Sequence, residues 1–252
     1  MTRVIVVANQ KGGVGKTTTC VNLSACMAAA GRRTLLVDLD PQGNATSGLN
    51  IEKSALEFTL YDTLVNDEPL ADVTYTTEME NLFVVPANRD LVGAEVELVE
   101  VANREYRLRD ALAKARDGYE FIFLDCPPSL GLLTVNGLAA ADGVMITLQC
   151  EYYALEGLSE LLQTIILVRD NLNKGLNLEG VLLTMFQHTN LSKQVIEDVR
   201  SHLGDKVYKT VIPRNVTLGE APSFGKPVIY YDIKSAGAKA YLALARELVA
   251  RG

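Results

Sequence analysis

The sequence has few cysteines, and none of them lies at metal-binding spacing from another. The 252 residues include only Cys20, Cys26, Cys126 and Cys150, with no C-x-x-C pair among them. Because zinc and iron–sulfur sites are usually built on closely spaced pairs, this absence argues against a metal or cluster site. We expect the four thiols to be buried and reduced.

The sequence also lacks an excess of basic residues. It has 24 lysines and arginines against 31 aspartates and glutamates, which gives a formal charge of −7. Such a chain has no general attraction to nucleic acid or to an acidic membrane, so any binding to DNA would need a local basic patch.

Long apolar runs are absent as well. The apolar runs fall far short of the roughly 20 residues that a membrane-spanning helix requires, and the segment Met1–Ala8 is too short for a signal peptide. We therefore expect a cytoplasmic protein that does not bind a membrane. The length favours one large domain over residues 1–252, with no repeat or linker.

The sequence does contain a regular alternation of short apolar runs and helical patterns. The apolar runs predict strands at Val4–Ala8, Thr34–Asp38, Leu82–Pro86, Phe121–Asp125, Gly143–Leu148, Gly180–Met185 and Val207–Ile212. The helical patterns predict helices at Lys16–Ala30, Leu91–Arg116, Gly131–Ala141, Leu155–Asn173, Ser192–Leu203 and Ser235–Arg251. This alternation predicts a doubly wound α/β fold, with a mostly parallel sheet and helices on both faces. The irregular stretch Asp40–Glu80 is expected to hold loops and one short helix beside the ligand site.

The most informative segment is residues 9–18, Asn-Gln-Lys-Gly-Gly-Val-Gly-Lys-Thr-Thr. It follows a predicted strand and opens a predicted helix, which is the context of a phosphate-binding loop. Gln10 replaces the first glycine of the usual pattern G-x-x-x-x-G-K-[ST]. Glycines let backbone N–H groups face an anion, and the helix N-terminus adds partial positive charge. The alternative, a glycine turn before an ordinary helix, does not account for the complete Gly-Lys-Thr-Thr ending.

The loop residues have expected roles in binding a nucleoside triphosphate with Mg²⁺. Lys16 would bridge the β- and γ-phosphates, and the Thr17 hydroxyl would ligate the metal ion. The expected ligand-binding residues of the loop are Lys11, Gly12, Gly13, Val14, Gly15, Lys16, Thr17 and Thr18.

Three aspartates follow predicted strands. Asp38 and Asp40 stand two residues apart, and Asp125 ends an apolar strand in the manner of a Walker B motif. Because carboxylates near Mg²⁺ usually act through water, Asp38 and Asp125 are candidates for the metal site. Asp40 lies further along the chain and could orient the attacking water.

These motifs together resemble the ParA/Soj family of partitioning ATPases, within the deviant-Walker class that also contains MinD. The resemblance rests on the runs at 11–18, 37–44, 124–128 and 211–215, and it continues through 220–227. It therefore covers nearly the whole chain.

The resemblance implies binding of ATP and Mg²⁺ and an ATP-dependent homodimer that encloses two nucleotides. Lys11 matches the lysine that reaches the partner's nucleotide, so Lys11, Lys16 and Asp40 are the implied catalytic residues. Gly12 would let the two facing loops approach closely. Pro213 and Asn215 match the segment that packs on adenine, and Arg214 between them could serve the base or DNA.

The resemblance also implies non-specific binding to double-stranded DNA in the ATP state and a ParB-type activator, with slow turnover in its absence and association with the nucleoid. Arginines common in the family are replaced here by His188-Thr189-Asn190, by Thr217 and by Ala236. The available basic candidates are Lys193, Arg200, Lys209, Arg214, Lys226 and Lys234. Acidic neighbours leave open whether these residues form a DNA-binding patch or an ordinary solvated surface.

Three other functions use a similar ATPase core. A MinD-like membrane ATPase would end in a basic amphipathic helix, whereas the last helix predicted here has the apolar face of a packed one. A cluster-binding ATPase like the nitrogenase iron protein would need paired cysteines. Positioning of a protein complex instead of DNA would leave the same motifs in the sequence.

Overall fold

The computed structural model describes residues 2–151 and 154–251. The strands are β1 Arg3–Ala8, β2 Thr34–Asp38, β3 Tyr75–Thr76, β4 Leu82–Val85, β5 Phe121–Asp125, β6 Gly143–Gln149, β7 Asn177–Phe186 and β8 Val207–Pro213. The α-helices are α1 Lys16–Ala29, α2 Asn44–Gly48, α3 Leu60–Val65, α4 Leu91–Glu97, α5 Arg107–Ala113, α6 Leu132–Ala140, α7 Ala154–Asn171, α8 Asn190–Leu203, α9 Val216–Glu220, α10 Val228–Tyr231 and α11 Ala236–Arg251.

The strands form one sheet in the order β3-β4-β2-β5-β1-β6-β7-β8. All neighbouring pairs are parallel except β3 with β4. The predicted strands are confirmed to within a few residues. The stretch Asp40–Glu80, expected to hold loops and one short helix, contains the two helices α2 and α3 and the antiparallel edge strand β3, so that expectation was incomplete.

Helices cover both faces of the sheet, as predicted. Alternate residues of β1 point to opposite faces, so Val4 and Val6 join one apolar core and Ile5 and Val7 join the other. The first core also contains residues of α3 to α8, and the second contains residues of α1 and α11. Burial on both faces explains why the strands are continuously apolar.

The single helix predicted over Leu91–Arg116 was wrong. The segment forms α4 and α5 with two 3₁₀ turns between them. Val101 is extended, and Asn103 has a left-handed backbone with φ 58°. Asparagine tolerates this left-handed conformation better than most residues do. A residue with that conformation cannot continue a right-handed α-helix, so the helix is broken there.

Candidate functional site

The loop after β1 has the backbone conformation of an anion-binding turn. Gly13 and Gly15 have φ of 73° and 87°, a region that favours glycine, and α1 begins directly afterwards. The loop is anchored at both ends. The Asn9 side chain donates to the Thr147 carbonyl at 2.7 Å, and the Thr184 hydroxyl donates to the Val14 carbonyl at 2.9 Å. The N–H groups that open α1 are thus held at a fixed position at the carboxyl edge of the sheet.

Lys16 is buried within this loop. Its ammonium donates to the carbonyl oxygen of Lys11 at 3.0 Å, so the side chain folds back over the glycines. Burial lowers the pKa of Lys16, while Asp125 acts in the opposite direction. A buried ammonium with one neutral partner is stabilised when a phosphate replaces that partner.

Asp38 and Asp125 lie side by side, because their strands pair in register at these two residues. Both are fully buried, but their surroundings differ. The Asp38 carboxylate accepts from the Thr46 backbone and hydroxyl, at 2.9 and 2.8 Å, and from the Asp40 N–H at 3.1 Å. Asp38 therefore fixes the loop after β2, and its hydrogen-bonding capacity is largely used.

Neither carboxylate oxygen of Asp125 has a hydrogen-bond partner among the described residues. Burial, and then the neighbouring charge of Asp38, raise the pKa of Asp125 well above its usual value, and the nearby Thr17 hydroxyl, which makes no hydrogen bond to the carboxylate in this structure, acts in the opposite direction. Burial also raises the pKa of Asp38, to about 6. An unpartnered buried carboxylate near the first turn of α1 fits the surroundings of a hydrated Mg²⁺, whose bound water would donate to it. Of the predicted metal residues, Thr17 and Asp125 fit this arrangement better than Asp38.

Asp40 opens the loop that leads to α2. The residue is 7% exposed, its side chain accepts from the Gln42 N–H at 2.9 Å, and its carbonyl accepts from the Gly43 N–H at 2.8 Å. This Asx-type turn holds the carboxylate at the edge of the phosphate loop.

A cavity of about 670 Å³ lies over the phosphate loop. The residues of the predicted site that line this cavity are Gly12, Gly13, Gly15, Lys16, Thr17, Thr18 and Asp40. Further lining residues that the sequence reasoning did not assign to the nucleotide are Val21, Asn22, Gln42, Asn44, Ser47, Gly48, Pro128, Met185, Ala221, Pro222, Ser223 and Lys226. The run at 220–227, which continues the family resemblance, is the sequence signal that could have identified this wall of the cavity.

The segment predicted to contact adenine does not line this cavity. Pro213 is the last residue of β8, and Arg214 is exposed. The backbone N–H of Arg214 donates to the Phe186 carbonyl at 3.0 Å. The Asn215 side-chain oxygen is buried without a hydrogen-bond partner among the described groups. Met185 and the 221–223 turn occupy the cavity wall instead.

Lys11 also lies outside the cavity lining. Its ammonium is 3.1 Å from a carboxylate oxygen of Glu151, and both side chains are about half exposed. The backbone N–H of Lys11 donates to the Asn9 side chain at 2.9 Å. In this single chain, therefore, Lys16 faces the chain's own phosphate loop and Lys11 is held at the surface.

The basic residues predicted as candidates for DNA binding lie in different parts of the structure. Lys193 and Arg200 are exposed on α8, and Arg200 donates to the Lys209 carbonyl at 3.2 Å, which brings α8 and the edge strand β8 together. Lys226 lines the cavity over the phosphate loop instead. Lys234 is exposed in the turn before α11.

The four cysteines are buried and free, as predicted. Within residues 2–151 and 154–251 no group of three or more His, Cys, Asp and Glu side chains is placed to hold a metal ion. The same residues include no helix with the length and apolar character needed to cross a bilayer.

The first strand of the parallel sheet leads through a glycine loop into a helix, and a large cavity lies above Lys16, Thr17 and the unpartnered Asp125. This arrangement defines a P-loop nucleotide-binding protein. The family model described as an AAA domain matches residues 2–178. The chain is 59% identical over 253 residues to the sporulation initiation inhibitor protein Soj of Bacillus subtilis, and the match covers 100% of both chains. It is 59% identical over 250 residues to the chromosome partitioning protein ParA of Myxococcus xanthus, with coverage of 99% of this chain and 88% of the relative.

A solved structure, that of cobyrinic acid a,c-diamide synthase from Mycobacterium smegmatis with a bound ATP analogue and magnesium, is 40% identical. It superposes with a TM-score of 0.87 over 99% of this chain and 95% of that one. The chain therefore belongs to the ParA/Soj family of ATPases. This confirms the family, the fold class and the ATPase class predicted from the sequence.

Proposed function

We propose that the chain is an ATP-driven switch that partitions DNA. In this proposal residues 1–252 form one ATPase domain that closes as a homodimer with ATP and binds DNA without sequence preference. A ParB-type partner stimulates hydrolysis and so releases the DNA. The protein acts in the cytoplasm, on the nucleoid while ATP is bound. The observation that carries the proposal is the separation of Lys16, folded over its own loop, from Lys11, held outside it.

The nucleotide is assigned to the cavity over the phosphate loop. The α1 N-terminus and Lys16 would hold the phosphates, and the cavity wall at Met185 and the 221–223 turn would contact the base or sugar. Thr17 and Asp125 would hold hydrated Mg²⁺, which neutralises the charge that develops on the phosphate oxygens. The relatives named for chromosome partitioning and the structure with an ATP analogue and magnesium support this assignment.

Lys11 is assigned to the partner's nucleotide. The lysine is exposed and needs only to leave Glu151, an exposed ion pair that is worth little in free energy. Gly12 is exposed and has no side chain, so the loop beside Lys11 presents little bulk to a facing copy. A cation supplied across a dimer in this way would act as arginine fingers do in other nucleotide hydrolases.

Asp40 is assigned to the attacking water. Its carboxylate borders the cavity and keeps an oxygen free of the Gln42 N–H. Hydrolysis by the isolated chain is slow in this account, because the water-orienting geometry is completed only when the dimer and its activator are both bound.

DNA binding is assigned to the exposed basic side chains of α8 and β8, which are Lys193, Arg200 and Lys209. Arg214 and Lys234 are further candidates. Contacts of this kind are made to phosphates, so binding should fall steeply as salt rises.

The test of the proposed function is retention of the protein on DNA of mixed sequence across a salt series. We expect retention with ATP and none with ADP, and loss of the ATP-dependent retention as salt rises. Replacing Lys193 and Arg200 together by alanine should weaken retention, whereas Lys174→Ala, a matched change outside the predicted patch, should not. Equal retention on DNA with ATP and with ADP, or no retention at any salt concentration, would contradict the proposal.

A further inference from the structure

A second large surface feature is not used by the proposed function. It is an apolar groove of about 610 Å³ that lies between the α4 region on one side and helices α6 and α7 on the other. Its apolar lining includes Val99, Leu130, Leu132, Val135, Leu167 and Leu172. We refer to it as the α4–α7 groove.

Large apolar side chains beside the groove are exposed. Val99 lines the groove and is 55% exposed. Val92 and Val96 precede it at the spacing of one helix face and are 54% and 71% exposed. On the facing helix α7, Leu167 lines the groove and is 63% exposed. A cluster of exposed apolar side chains on two facing elements marks an interaction surface, because covering it is favourable.

The charged side chains that line the groove are Glu95, Arg104 and Glu105. The segment that contains them, residues 93–105, has four glutamates and one arginine. That arginine, Arg104, is already engaged, because its Nε lies 3.1 Å from Glu105 and a terminal nitrogen donates to the Val99 carbonyl. Glu95 lines the groove and has no ion-pair partner among the described residues, and Glu100, which follows the lining residue Val99 in the chain, has none among them either. We call Glu95, Glu100 and Glu105 the glutamate rim, and its charge exceeds that of Arg104.

We propose that the α4–α7 groove is the docking site for a helical segment of a partner protein, with an apolar face flanked by lysines and arginines. The apolar face of such a segment would cover Val99 and Leu167, as amphipathic helices do in grooves between helices. Its basic flanks would lie against the glutamate rim, which gives the contact its orientation and specificity.

A second copy of this chain fits the groove less well. In a two-fold contact the same surface meets itself, so the glutamates of one copy would face those of the other. The acidic rim therefore calls for a different chain of opposite charge.

The groove shares one short loop with the nucleotide cavity. Residues 126–131 join β5 to α6, and within them Leu130 lines the groove while Pro128 lines the cavity. The Glu95 carboxylate lies so close to Gly131 that a side chain there would collide with it. A partner in the groove would contact the same loop that borders the nucleotide.

The test uses the full chain without nucleotide and three fluorescent peptides. The first peptide places leucines and lysines at helical spacing, the second replaces each lysine by glutamate, and the third has the composition of the first in an order without an apolar face. We expect only the first to bind. Leu167→Glu should weaken that binding by about tenfold or more, although it adds a negative charge that would strengthen a purely electrostatic contact. Leu191→Glu, the same change at an exposed leucine of α8, should leave it unchanged.

Absence of binding by the first peptide, equal binding of all three, or unchanged binding in Leu167→Glu would overturn the proposal. So would self-association of the nucleotide-free protein that Leu167→Glu abolishes, because the groove would then belong to a second copy. Leu167→Glu should bind a fluorescent ATP analogue like the unaltered protein, which shows that the variant is folded. Since the peptide assay contains neither nucleotide nor DNA, its outcome is independent of whether the proposed function holds.

Discussion

Two aspartates on neighbouring strands have opposite surroundings in this molecule. Asp38 is held by three hydrogen bonds from its own loop, whereas Asp125 has none among the described residues. A buried carboxylate without partners is costly in the free protein and is relieved when a hydrated cation arrives. At the scale of the residue, therefore, the negative charge of Asp125 is unfavourable in the free protein and is neutralised when the cation binds.

Replacing Asp125 by asparagine should stabilise the nucleotide-free protein at neutral pH, because the change removes a buried carboxylate that has no hydrogen-bond partner among the described residues. The folded-state pKa of Asp125 is raised above its usual 3.8, so the penalty is absent below that value and grows as pH rises above it. The gain in free energy of unfolding should therefore be small at about pH 4 and larger at about pH 8, as measured by urea unfolding. An equal gain at both pH values would contradict the account. Hydrolysis of ATP should be lost in the same variant.

The two lysines of the loop should fail in different ways. Lys16→Ala should lose tight binding of a fluorescent ATP analogue, because the buried ammonium above the loop is removed. Lys11→Ala should bind the analogue with an affinity within about twofold of the unaltered protein, because an exposed ion pair contributes little. Hydrolysis should be abolished in both variants, and full hydrolysis by Lys11→Ala would refute its role across the dimer.

At the scale of the element, the loop after β2 depends on one close approach of two backbones. Gly43 has φ 62°, and a Cβ there would lie 2.5 Å from the Ala87 carbonyl oxygen. The loop carries Asp40 at its start, so its packing against the segment after β4 positions the carboxylate at the cavity.

Gly43→Ala should lower the free energy of unfolding by about 2 kcal/mol or more, since it combines a left-handed backbone with a collision. Gly31→Ala is the matched control, because Gly31 also has a positive φ of 77° but open space around it. That control should cost about 1 kcal/mol. Equal shifts of the urea midpoint in the two variants would show that the contact with Ala87 is unimportant.

The elements also show what the sequence can and cannot predict. Strands buried on both faces are continuous apolar runs, so they could be located directly, and the phosphate loop is contiguous in sequence. The break of the helix predicted at 91–116 was missed because apolar residues continue through Val99 and Val101, which are exposed. The cavity wall at Met185 and at 221–223 comes from distant segments that only the folded sheet brings to the loop.

At the scale of the whole molecule, the central claim is that ATP closes two copies of the chain on each other. The fold places Lys16 over its own loop and Lys11 at the surface, where a second copy could receive it. Asp40 borders the cavity without contacting either lysine in a hydrogen bond, so its removal should block hydrolysis and leave closure intact.

The most direct test of this claim is analytical sedimentation of the Asp40→Ala protein, with ATP and with ADP in parallel. We predict a stable dimer with ATP and a monomer with ADP, and a larger sedimenting species when DNA is added to the ATP sample. A monomer in both nucleotides, or the same dimer in both, would contradict the claim that ATP drives closure.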